Sequence, residues 1–300
     1  MDCIIVGGGP AGLTAATYLR RFHRSVLVFD DGRSRARWIP KTHNCPGFPH
    51  GVSGAELLQR LRQQASEYGV RFESSTVTHV QRDPAGWHVS DGPQVWSARA
   101  LILATGVEDR MPIAADQCAS AIAQGVLRLC AICDGYEATD KAIVVIGPLH
   151  DALSHACFLR TFSARVKVAP TDDGARIASP ALDELMRKAR ALEIGLLPTL
   201  RSVSFEQTHC RLTDQTGTSH VFDTAYVAMG SPGRLSLAEQ AGAQIRKDEI
   251  ITDAHMRTTV DGVYAIGDVV TDLNQISVAF GHASIAATAV HRALPPAPRS

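Results

Sequence analysis

Residues 3–6, Cys-Ile-Ile-Val, form an unbroken apolar run, and residues 13–22 repeat apolar side chains at helical spacing. Between them lies Gly7-Gly8-Gly9-Pro10-Ala11-Gly12, so the pattern predicts a strand, a tight turn and a helix. A second apolar run over 25–29 ends at Asp30. Residues 54–68 bring Leu57, Leu58, Leu61 and Ala65 to one face of a predicted helix. Three short runs, 76–80, 87–90 and 95–98, are punctuated by Pro84-Ala85-Gly86 and Asp91-Gly92-Pro93, which predicts a small β-meander. Residues 100–103 read as another buried strand.

The same pattern starts again at residue 142. A strand over 142–146, the turn Gly147-Pro148-Leu149-His150, a helix over 151–162, a strand over 166–169 and a helix over 182–192 make a second βαβ-type unit. Val263-Tyr264-Ala265-Ile266, followed by Gly267-Asp268 and a helix over 276–291, reads as returning to the first unit. The expected fold is therefore α/β, with two doubly wound, Rossmann-like dinucleotide-binding domains, the second inserted in the first. The expected domains are 1–112 with 236–300, and 113–235. Glycines 230 and 233, at the second junction, are candidate hinge positions.

Composition mainly excludes. At 300 residues and 45% hydrophobic content the chain supplies two cores, which excludes a disulfide mini-protein or a disordered tail. Thirty Lys plus Arg balance thirty Asp plus Glu, so no global field draws in nucleic acid or an anionic membrane. With a strand read from residue 3, no secretory leader is expected, and the apolar stretch 276–290 is broken by Ser277, Gly281, His282 and Ser284, short of the ~18 apolar residues of a membrane span. Seven cysteines, an odd number, do not make a secreted disulfide framework, and a reducing cytoplasm is expected.

Gly7-x-Gly9-x-x-Gly12 sits between strand and helix, where glycines permit the turn, the approach of a pyrophosphate and close helix packing; Asp30 then suits a ribose hydroxyl. FAD and NAD share this fingerprint. Cys130-Ala131-Ile132-Cys133 can close a small disulfide ring and exchange electrons by thiolate attack. The spacing also admits a zinc half-site or a structural pair, although no second CxxC or spaced His pair completes four ligands, and no metal is expected.

Leu101-Ile102-Leu103-Ala104-Thr105-Gly106 and the stretch ending Ala265-Ile266-Gly267-Asp268 resemble two signatures of two-dinucleotide flavoproteins. Taken in order with Gly7 to Gly12, Asn44-Cys45-Pro46-Gly47, Gly51-Val52-Ser53-Gly54, Cys130 to Tyr136 and Asn274-Gln275-Ile276, they resemble the thioredoxin reductase family of low-molecular-weight flavoprotein disulfide reductases over almost the whole chain. The resemblance implies bound FAD, held by Gly7, Gly9, Pro10, Ala11, Gly12, Asp30, Asn44, Ala104, Thr105, Gly106, Gly267, Asp268, Gln275 and Ile276. It implies Cys133 as the flavin-facing sulfur, Cys130 as the interchange thiol, Asp134 as the acid/base, and a homodimer whose lobes swing so that the pair alternates between flavin and partner.

The second fingerprint departs from that family. Leu149 replaces a glycine, Pro148 lacks an N–H, and Thr171-Asp172-Asp173 offers anions where a 2′-phosphate needs cations. NADPH is therefore expected to be a poor donor, with a retained NADH site, through Asp172, as the blander account. The expected partners are a thioredoxin-like protein or a small-molecule dithiol or disulfide, with a ferredoxin or second flavoprotein as donor. Two alternatives are a dithiol oxidase that passes electrons to oxygen and a non-catalytic flavin redox sensor. Arg33-Ser34-Arg35-Ala36-Arg37-Trp38 is expected as a solvated loop rather than a cover for the FAD adenosine. His43 reads equally as a surface or a flavin-side residue, His282 as a satisfied packing residue, and Cys3, Cys45, Cys157 and Cys210 as buried small side chains.

Overall fold

The computed structural model describes residues 1–84, 86–172 and 179–296. Its first sheet is parallel, in the order Val263–Ala265, Ala100–Leu103, Cys3–Val6, Val26–Phe29, Arg71–Glu73. Ile5 lies between Val28 and Ile102. The central strands are buried at every residue, which is why they read as continuous apolar runs rather than as alternation.

Helices Pro10–Arg21 and Ile276–Ala293 cover one face, and Ala15, Ala16, Ala283, Ala286 and Ala287 form their seam with the sheet. Those small side chains leave room for the two helices to lie side by side. The antiparallel strands His79–Asp83, Gly86–Ser90 and Val95–Ala98 cover the other face through Trp87, Val89 and Ala98. The meander expected from residue 76 starts at His79, because the Thr76 hydroxyl turns to the Asp31 carboxylate, 3.3 Å away, at the end of the neighbouring strand.

The second sheet repeats the plan in the order Gly195–Leu196, Val166–Pro170, Ile143–Gly147, Thr224–Val227, Leu127–Arg128. Helices Leu149–Leu159 and Pro180–Ala191 pack on one face. Helix Ala115–Ala123 and the antiparallel strands Leu200–Phe205, Cys210–Asp214 and Ser219–Phe222 lie on the other, none of them expected from the pattern. The helix expected from 151 begins at Leu149, since Pro148 caps it in an extended conformation and shortens the turn. The strand Val263–Ala265 pairs with Ala100–Leu103, so the chain leaves the first sheet, builds the second and returns.

The two passages between sheets pair with each other. Arg234 N–H donates to Gly106 O (2.9 Å), Glu108 N–H to Pro232 O (3.1 Å) and Arg110 N–H to Gly230 O (3.0 Å). Gly106 and Gly230 sit at φ +66° and +86°, a backbone region that favours glycine, while a Cβ at Gly233 would lie 2.5 Å from Asp248 O. The solvated loop expected for the basic run is overturned at Arg35, Ala36 and Trp38, whereas Arg37 is exposed as expected. Residues Arg35–Trp38 form a 3₁₀ turn in which Arg35, largely buried, grips Asp109 with two bonds of 2.6 and 2.8 Å. Trp38 reaches across to pack against the second sheet's core beside Met111 and Ile113. Arg33 stays at the surface with Asp31. Among the described residues no helix is long and apolar enough to cross a membrane.

Gly7 combines φ +119° with a Cβ position 2.1 Å from Ala104 O. Gly7→Ala should therefore destabilise the fold by ~2 kcal/mol or more, read as a lower urea midpoint with unchanged slope.

Candidate active site

One cavity of about 690 Å³ runs from the first fingerprint turn to the cysteine pair. Gly7, Gly9, Pro10, Ala11, Asp30, Asn44, Ala104, Thr105, Gly106, Gly267, Asp268, Gln275 and Ile276 line it, together with Cys130, Cys133 and Asp134. Gly12 does not; its Cβ would lie 1.9 Å from Gly7 O, so it serves the close packing of helix on turn.

No side chain caps helix Pro10–Arg21 at Gly9, which leaves its first N–H groups for an anion. Asp30 accepts from Gly32 N–H (3.0 Å) and from Arg62 (2.6 Å), so its charge is balanced without using the fingerprint N–H groups. Four buried polar atoms of cavity-wall residues, Ser75 Oγ, Arg128 Nε, Glu137 Oε2 and Asn274 Oδ1, have no partner among the described residues. A turn with free N–H donors, a ribose-type carboxylate and orphaned polar atoms farther along fit an extended dinucleotide.

Cys130 and Cys133 form a disulfide at the start of the short helix Ala131–Asp134. Both are half-buried. Cys133 N–H donates to Cys130 Sγ (3.2 Å), and Gln275 Nε2 approaches both sulfurs, at 3.3 Å to Cys133 and 3.6 Å to Cys130. Asn44 Nδ2 in turn donates to Gln275 Oε1 (3.0 Å), and Thr42 Oγ1 to Asn44 Oδ1 (2.7 Å). The side chain of Gln275, singled out with the cofactor residues, thus touches the disulfide, and Thr42 was missed. Its only sequence signal is a position two residues before Asn44.

Burial pushes the Asp134 carboxyl above the ordinary aspartate range, while the Arg128 charge (2.8 Å) and hydrogen bonds from Arg128 and Tyr226 (3.0 Å) oppose the rise. Burial likewise raises Asp268, against the pull of Arg35. His43 and Glu137 join the two lobes at 2.8 Å, both on the cavity wall. His282 departs from the satisfied packing expected of it: its Nδ1 is buried with no partner among the described residues, and burial lowers its pKa. Cys157 is half-exposed rather than buried, whereas Cys3, Cys45 and Cys210 are buried. Among the described residues no cluster of three or more His, Cys, Asp or Glu is arranged to hold a metal.

The second fingerprint turn keeps part of the first one's architecture. A Cβ at Gly147 would meet Ala228 O at 2.2 Å, as one at Gly7 would meet Ala104 O. The acidic residue behaves differently, however. Asp172 turns its carboxylate onto Leu149 N–H (3.0 Å), taking a donor at the helix start where a pyrophosphate would bind. Asp173 lies outside the described residues.

Two doubly wound lobes sharing a cavity that ends on a CxxC disulfide define a dinucleotide-dependent disulfide oxidoreductase. The chain belongs to the pyridine nucleotide-disulphide oxidoreductase family, whose model matches residues 1–283, and within it is a thioredoxin reductase-like, FAD-dependent enzyme. It is 32% identical over 283 residues to thioredoxin reductase of Mycolicibacterium smegmatis, covering 90% of this chain and 88% of that one. The crystal structure of Streptococcus pyogenes thioredoxin reductase superposes with a TM-score of 0.87 at 26% identity, 97% of each chain being covered. Lactococcus lactis thioredoxin reductase in its FR conformation reaches 0.63 at 25% identity, with 97% of this chain and 98% of that one covered.

Because Asp134 is raised in the folded state, the native protein holds a proton that the unfolded chain has already lost. Stability should fall as pH rises from about 4 through the folded value. Asp134→Asn should flatten that slope in urea midpoints measured across the window, with Asp268 retaining its own share.

Proposed function

We propose that the enzyme binds FAD along this cavity and moves electron pairs between the flavin, the Cys130–Cys133 disulfide and an external disulfide or dithiol, without drawing efficiently on NADPH. The observation that carries this reading is the disulfide's position on the wall of the same cavity that begins at the free helix terminus. Gly9 and Ala11 offer N–H groups and Gly7 and Pro10 offer space for the pyrophosphate, with Gly12 packing the helix behind them. Asp30 suits the ribose, and Asn44, Ala104, Thr105, Gly106, Gly267, Asp268, Gln275 and Ile276 line the remainder. FAD, when bound, supplies a two-electron carrier beside the disulfide.

The protein's own groups then divide the work. Cys133 takes the flavin side and Cys130 exchanges with the external sulfur, breaking one S–S bond as another forms. Asp134, its proton held more tightly by burial, serves as the acid/base for the departing thiol. Thioredoxin reductases among the relatives point to a thioredoxin-like protein as the exchange partner. The paired crossings at Gly106 and Gly230, with a left-handed glycine on each, support a lobe rotation between flavin and partner. A homodimer is the expected assembly.

Asp172 on Leu149 N–H argues that electrons enter by another route, from a ferredoxin or a second flavoprotein. The half-burial of both sulfurs on the cavity wall favours a second reading, in which a small dithiol reaches Cys130 without lobe movement and its electrons go to oxygen.

Anaerobic titration of the oxidised holoenzyme separates these readings. A dithiol should bleach the flavin stoichiometrically, NADPH and NADH should not, and Cys133→Ser should retain the flavin but lose bleaching by dithiol. Rapid stoichiometric bleaching by NADPH would overturn the donor assignment. Readmitted air should yield peroxide in turnover with dithiol only if the oxidase reading holds.

A further inference from the structure

We infer that Gln275 is a catalytic residue whose side-chain amide stabilises Cys133 as a thiolate, and that Asn44 and Thr42 are positioning residues that fix which end of that amide faces the sulfur. The inference deepens the proposed exchange between flavin and disulfide and rests on it for its place in the reaction.

The argument begins with direction. Thr42 Oγ1 donates to Asn44 Oδ1 at 2.7 Å, so the oxygen end of Asn44 faces the hydroxyl. The Asn44 NH₂ is then aimed at Gln275 Oε1, 3.0 Å away, which leaves the Gln275 NH₂ facing the sulfurs. Thr42 itself is fixed. It is 4% exposed, and its backbone N–H and C=O both pair with Val52 at 2.9 Å. A buried hydroxyl thus ends a hydrogen-bonded chain that runs through Asn44 to Gln275, 231 residues farther along, and on to the sulfurs.

The two sulfurs are not served alike. Cys130 Sγ receives the N–H of Cys133 as well as the more distant Gln275 contact. Among the described residues the only hydrogen bond to Cys133 Sγ comes from Gln275. When an external dithiol reduces the pair, its two sulfurs join, the Cys130–Cys133 bond breaks, and two electrons and two protons are delivered. One proton remains at Cys130 and the other is released, so Cys133 carries the negative charge that an N–H donor stabilises most.

The test uses reduced, desalted holoenzyme under anaerobic conditions, with iodoacetamide alkylation of Cys133 followed by peptide mass spectrometry across pH. In Gln275→Leu, Cys133 should be alkylated several-fold more slowly at pH 7, with its pH profile displaced upward by about one unit, the size expected for one charge-assisted hydrogen bond. Gln275→Glu should displace it further by placing an anion against the sulfur. Asn44→Asp should act in the same direction without touching either sulfur, since a carboxylate draws the Gln275 NH₂ toward itself. Thr42→Val, nearly isosteric, should produce a smaller displacement. Flavin content and melting temperature report any loss of fold, and Thr42→Val and Asn44→Asp keep the test decisive if Gln275→Leu loses FAD. An unchanged profile in folded Gln275 variants overturns the catalytic assignment, and an unchanged profile in Asn44→Asp overturns the positioning role. If the wild-type flavin bleaches with dithiol but no profile moves, this inference alone fails. If the profiles move while the flavin does not bleach, the exchange reading fails instead.

Discussion

Three backbone hydrogen bonds and one buried ion pair hold the two passages between the lobes, and the site depends on them. The fingerprint turn belongs to one sheet and the disulfide to the other, so no single lobe contains the cavity. Pairing residues 106–110 with 230–234 turns two separate strands into one ribbon with a left-handed glycine near each end. Arg35 anchors that ribbon to the first lobe through Asp109. Removal of one partner from a desolvated pair of this kind typically costs about 3–5 kcal/mol, because the other charge is left buried and alone.

The two lobes show how one architecture supports different chemistry. In both, a glycine at the end of the first strand lets a carbonyl of the neighbouring chain approach within about 2 Å of where a Cβ would stand. That requirement is steric and survives in both copies. What differs is where the acid at the end of the second strand places its charge. Asp30 is balanced by Arg62 and leaves the turn to a ligand, whereas Asp172 satisfies the helix terminus itself. The glycine pattern is a condition for the fold, and the two carboxylates leave different donors free at the two helix starts.

That distinction also explains what was legible in the sequence. The strands flanking the first fingerprint, the helix behind it and the CxxC were readable because each is specified within a few residues. The ends of elements moved where a side chain chose a distant partner, as Thr76 does with Asp31. The Arg35–Asp109 pair spans 74 residues, and the Asn44–Gln275 contact 231, so nothing local marks either. The antiparallel strands of the second lobe were missed because their alternation is short and interrupted. The basic run looked solvated because charge patterning carries no information about a carboxylate that folds onto it.

Trp38 gives this arrangement an optical consequence. The protein has three tryptophans. Trp87 and Trp96 pack within the first lobe, whereas Trp38 leaves its own lobe to rest against the core of the other. Any change in how the lobes face each other therefore alters the surroundings of one indole and spares the other two. The fold carries an intrinsic fluorophore at the boundary between the lobes, with two emitters inside the first lobe as an internal standard.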